Sequence, residues 1–231
     1  LHGQAVKLDW LRVFRRPVIV ELSDCTLEVL WAGKTHWQLD FNHCQAKNDD
    51  LSVVGRVRMA SGEGKPNVDI NVAMERGNIA RFSDYWPENV MRERTLRWLR
   101  TSLLGGRLSN GRYSMVGDMD DFPFSNQRGR LQAIAPVADA TLRYAEGWPL
   151  ARQVAATAIF EGPGMVVGGT VGLTANAAVD RITARIGNFK QPELEVTYRT
   201  VAGMQNLIGF IRQTPLLDVL ELDPDQFEFA G

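Results

Sequence analysis

Few residues in this chain carry side chains suited to catalysis, and those few fall at unhelpful spacings. The histidines are His2, His36 and His43, and the cysteines are Cys25 and Cys44. By type, His36, His43, Cys25 and Cys44 suggest a zinc cluster, but their spacing matches no common ligand set. On an unbroken strand His36 and His43 also point to opposite faces, because their separation is odd. Ser23 beside Asp24 and Ser83 beside Asp84 have no histidine placed to complete a nucleophilic triad. Gly162, Pro163 and Gly164, followed by Gly168 and Gly169, lack the Lys-Ser/Thr ending and the helix of a phosphate loop, so a β-turn is the better reading. Asp118, Asp120 and Asp121 lack EF-hand spacing and a closing glutamate, and read as an exposed acidic turn. The expectation is no catalysis, no metal and no cofactor.

What must position any site is therefore a scaffold of ordinary composition. The 231 residues are 45% hydrophobic and 23% charged, enough for a sizeable core and unlike a disordered chain. The 26 basic and 27 acidic residues leave a net charge of −1, which argues against nucleic acid as a partner. No uncharged apolar run approaches the ~20 residues that span a bilayer. Both ends lie inside apolar alternation, so the expectation is a piece of a longer chain whose other parts govern targeting and anchoring. Cys25 and Cys44 flank a hairpin pattern, and a cross-strand disulfide and two buried thiols both remain open.

Period-two alternation dominates. Val6 and Leu8, Val18 to Leu22, Leu27 to Trp31, Trp37 to Phe41, 51–59 and Val68 to Met74 predict strands with one wet and one dry face. Alternation returns at Ala138 to Tyr144, Val154 to Phe160, Val171 to Ala175, Ile182 to Ile186 and Leu194 to Tyr198. Between these groups lies the one helical interruption, 80–104. Pro87 stops a short turn at Trp86, and a helix follows with Met91, Thr95, Trp98, Leu99, Ser102 and Leu103 on one face. Gly105 and Gly106 supply its end. A last amphipathic helix is predicted near 204–213. The organisation is thus a sheet segment over 1–79, a helical insertion over 80–104 and a second sheet segment over 105–231.

About ten strands with one apolar face must cover that face with a second sheet, with helices or with a ligand. Two modest helices are too few. On pattern alone, a sandwich or barrel competes with an open trough holding something apolar and removable.

Tyr85-Trp86-Pro87, Arg97-Trp98-Leu99, Leu104-Gly105-Gly106, Gly111, Gly117-Asp118 and Asp121-Phe122-Pro123-Phe124 follow one another in an order that resembles the central region of a large member of the AsmA-like family of Gram-negative envelope proteins. Asp139-Ala140-Thr141-Leu142, Gly147-Trp148-Pro149 and Pro215-Leu216 continue that order. The likeness is good from about residue 80 to 216 and looser before. It implies a mainly β fold: an elongated, curved antiparallel sheet forming a hydrophobic groove of the bridge-like lipid transfer type, with two or three short helices. It further implies a periplasmic conduit, part of an inner-membrane-anchored protein. Such a conduit carries phospholipid between inner and outer membranes, which it meets through parts of the chain absent here.

On that reading the acyl chains lie against Val72, Leu142, Tyr144, Phe160, Val167, Leu173, Ile182, Ile186, Leu194 and Val196. Trp86, Met91, Trp98, Leu99 and Leu103 form the helix at the groove. Alanines at 138, 140, 156, 158, 175 and 184 fill a core poorly and leave room for a ligand. Arg92, Arg94, Arg97 and Arg100 either meet lipid phosphate or form a solvated helix face diluted by Glu93. The competing class is a closed β-sandwich that scaffolds partner proteins and carries no lipid.

Overall fold

The computed structural model describes residues 4–9, 15–33, 35–86, 88–89, 93–174, 177–191, 193–200 and 203–215. The alternation becomes twelve strands in one antiparallel sheet: β1 (Gln4–Leu8), β2 (Val18–Ser23), β3 (Thr26–Trp31), β4 (Trp37–Lys47), β5 (Leu51–Ala60), β6 (Asn67–Asn78), β7 (Leu103–Asp118), β8 (Gly129–Leu142), β9 (Ala151–Glu161), β10 (Gly164–Thr174), β11 (Ala177–Ile186) and β12 (Leu194–Arg199). From β4 onward each strand pairs with its neighbours in sequence, as short turns require. β2 and β3 share β4: β3 pairs with residues 37–42 and β2 with residues 45–47. At the break Asp24 and His43 take left-handed φ values of 51° and 52°, and a Cys25–Cys44 disulfide joins the strands.

The ladder does not close. Among the described residues the path ends at β1 on one side and β12 on the other, and no second sheet lies across it. This overturns the sandwich and barrel alternatives. The accessible surface is 15391 Å². A compact protein of 25.8 kDa would expose about 10,500 Å².

The two faces differ as alternation predicts. One is polar: Asp40 accepts from Arg58 across β4 and β5, and Arg56 bonds Asp69 at 2.9 Å across β5 and β6. The Arg58 guanidinium and the Gln38 amide hold the Asp40 carboxyl below its usual range. The other face is apolar.

Curvature concentrates in β7–β10. Asn110, Asp139 and Gln153 have φ values of 56°, 51° and 52°, and the pairing register shifts beside each. Such bulges bend a strand and increase its twist. They draw the apolar face around Ile79, Leu108, Ala140, Val154 and Val171, which are 0–7% exposed.

The strand β7 is absent from the sequence-based expectation. Its glycines hide the alternation, and Gly106, Gly111 and Gly117 each have a steric reason. Gly106, at φ 123°, sits so close to Ala140 that a Cβ would lie 2.6 Å from the Ala140 Cα. Gly117, at φ 141°, faces the Phe124 ring, where a Cβ would lie 2.7 Å away. Gly105 and Gly106 therefore belong to a strand, not to a helix end.

A 3₁₀ turn runs over Ile79–Tyr85, and helix α1 over Glu93–Ser102 leads directly into β7. Helix α2 spans Met204–Arg212.

Candidate functional site

The register lines up apolar side chains in rows across the sheet. One row runs Val72, Tyr113, Ala133, Phe160, Met165, Ile186, Leu194, from β6 to β12. The next runs Ala135, Ala158, Val167, Ala184, Val196. A third runs Val137, Ala156, Gly169, Ile182, Tyr198. Cα partners share a face, so each row is a continuous apolar line perpendicular to the strands.

Both ends of these lines' common face are covered. At the end where β6 finishes and β7 begins, the 3₁₀ turn packs Ile79 and Phe82 into the cluster around Leu108 and Ala140. Trp86 meets Phe82 edge-on at 6.1 Å. Polar anchors hold this turn to the β4–β5 connection: Tyr85 Oη donates to Asp50 Oδ2 at 2.9 Å and accepts from Asn48 Nδ2 at 2.9 Å. Burial, with the Asp50 carboxylate alongside, raises the Tyr85 phenol. Farther along the same end, Tyr144, Trp148, Tyr198 and Phe210 form a chain of ring contacts 5.8–6.3 Å apart that seats α2. At the opposite end Phe124, 4% exposed, folds in from the β7–β8 connection against Val68 and Met115.

Between the covers the first two rows are partly open: Phe189 stacks on Phe160 at 6.4 Å, and Tyr113 and Ala135 pack against the flanking clusters. No described residue on them is among the buried ones, and Leu194 and Val196 are 54% and 48% exposed. Val72, Phe160, Val167, Ile186, Leu194 and Val196 of the expected lining lie here. Leu142, Tyr144 and Ile182 instead pack against the buried cluster at the helix end. Leu173 pairs with Arg152 and is 44% exposed, because the register shift after Val171 takes it out of the apolar rows. Of the small residues, Ala158 and Ala184 line the strip, Ala140 and Ala156 belong to the cluster, and Ala138 pairs with exposed Arg107. Ala175 lies outside the described residues.

On α1 the inward face is turned from the expected one. Leu96 and Ser102 are buried, Leu99 is half-buried, and Trp98 is 44% exposed. Leu96 lies ~200° around the helix from Trp98, so burying one exposes the other. Leu103 is already the first residue of β7 and packs on the cluster. Met91 and Arg92 lie outside the described residues. Arg97 reaches Glu93 at 4.0 Å and Arg100 pairs with Glu88, while Arg94 is exposed. Leu96 and Phe210 escaped the sequence pattern, although the helical spacing from Leu96 to Leu99 and Leu103, and from Leu207 to Phe210, was there to be counted.

The chemistry-bearing types do not assemble. Cys25 and Cys44 are bonded to each other, and among the described residues no three His, Cys, Asp or Glu side chains group to hold a metal. No described helix is long and apolar enough to cross a membrane.

The family model described as YhdP protein matches residues 1–228. The chain belongs to the YhdP family. A curated YhdP relative, the intermembrane phospholipid transporter YhdP of Escherichia coli (strain K12), is 21% identical over 228 residues, covering 97% of this chain. The chain spans 18% of that relative's length. No solved structure matches it.

Proposed function

We propose that the open apolar rows are a length of a track for phospholipid acyl chains, within a longer periplasmic protein that moves phospholipid between the inner and outer membranes. The carrying observation is an apolar face capped at both ends whose two middle rows hold no buried residue among those described. A solvent-exposed apolar surface of this extent marks an interaction site. Membership of the YhdP family and the relative's name as a phospholipid transporter point to the cargo. The row from Val72 to Leu194 crosses seven strands, or about 29 Å at ~4.8 Å per strand. One leaflet of a bilayer is ~15 Å of hydrocarbon, so a tail fits along the row with room to slide. Headgroups then face the solvent side, and the polar back of the sheet stays wet. Anchoring to the inner membrane belongs to other parts of the longer protein.

The test is the phospholipid content of the purified chain by native mass spectrometry, together with uptake from labelled vesicles. Val167→Glu and Val196→Glu are expected to abolish both while leaving thermal unfolding unchanged. Substitution at Leu142 would probe the fold instead, because Leu142 packs on the buried cluster. A chain that comes free of lipid and takes none from vesicles refutes the reading.

A further inference from the structure

One polar group stands in the first two apolar rows. Tyr113 occupies β7 between Val72 and Ala133. Among the described residues of its own row, the row through Val167, and the row through Met115, it carries the only hydroxyl. Its Oη has one recorded partner, the Met115 sulfur at 3.4 Å. Tyr113 is half-buried, and a thioether is a weak acceptor for its hydroxyl. Burial accordingly raises this phenol. Its donor capacity is largely unspent, on a surface that otherwise offers hydrocarbon nothing but contact.

We propose that Tyr113 is a positioning residue: its hydroxyl donates to the carbonyl oxygen at the base of an acyl chain, fixing where along the track each lipid pauses. This rests on the acyl-chain reading above and deepens it. A tail carries no acceptor along its length, and its ester carbonyl is the first strong one. From β7 to β12 the open row extends five strand spacings, about 24 Å, so a whole tail lies beyond Tyr113 before the row ends. Its register partner on β8 is the small Ala133.

The experiment measures binding of a fluorescent diester phosphatidylethanolamine, its diether analogue and a free fatty acid to the purified chain and to Tyr113→Phe. The intact protein is expected to hold the diester about tenfold more tightly than the diether, the usual worth of one hydrogen bond. Tyr113→Phe should bind both at the diether level, with an unchanged unfolding midpoint. Equal affinity of the intact protein for diester and diether overturns the role of Tyr113 while leaving the track intact. So does a preference that survives in Tyr113→Phe. Failure of every lipid to bind removes the track itself, and this role with it. A fatty acid that binds as tightly as the diester and loses the same factor in Tyr113→Phe upholds the contact and overturns the ester as its source.

Discussion

The helix end of the apolar face and its middle are built from the same strands with the same alternation, yet they meet different fates. At the helix end, bulges at Asn110, Asp139 and Gln153 bend β7–β10 around Ala140, Val154 and Val171, and the 3₁₀ turn and α2 complete a dry cluster. In the middle the strands run in register from Val72 to Leu194; Phe189 stacks on Phe160 at 6.4 Å, yet no described residue of the row is buried. Stability therefore resides at the edges of the face, and the proposed function resides between. A side chain's neighbours across the sheet do not decide which it serves; its position along the strand does.

The sharpest way to break this contrast is to place the same charge in both regions. Val154→Asp, at a position 3% exposed, should cost about 3–5 kcal/mol, read by denaturant unfolding, since it strands a charge in the cluster. Val167→Glu in the open row should change stability by less than about 0.5 kcal/mol. Similar losses at both sites would erase the distinction. Next in size, reducing the Cys25–Cys44 bridge should lower stability by about 3 kcal/mol through the freed loop, without altering lipid uptake. Tyr85→Phe should cost about 1 kcal/mol by cutting the tie between the 3₁₀ turn and Asp50. The smallest effect belongs to the polar face. Asp40 is held below 3.8 in the folded state, so its contribution is complete above that value and fades as pH falls through the lowered one. Asp40→Asn should thus lower the unfolding midpoint slightly at pH 7, and the difference from the parent should shrink in acid.

Much of this was readable in the residues, wherever side chains alone set the outcome. The strands over Trp37 to Phe41, Val68 to Met74 and Ile182 to Ile186 alternate cleanly, and they form as expected. The Asn48 to Asp50 turn and the Gly162-Pro163 hairpin likewise follow from turn chemistry. What escaped was set by backbone. β7 reads as a glycine-broken loop because Gly106, Gly111 and Gly117 admit neighbours that a side chain would exclude. The bulges sit at Asn, Asp and Gln, types too common to announce a left-handed residue. Leu173 was assigned to the lining by counting twos through a register shift that no composition reveals. On α1, a turn of the buried face exchanged Trp98 for Leu96.

The meander has a mechanical corollary. Past β3, every hydrogen-bonded ladder joins strands adjacent along the chain, so the ribbon can assemble hairpin by hairpin as it is synthesised, without waiting for a distant segment. Damage stays correspondingly parochial. A lesion that melts one hairpin leaves the ladders on either side intact, and the polymer behaves as a row of coupled links rather than as one all-or-none unit.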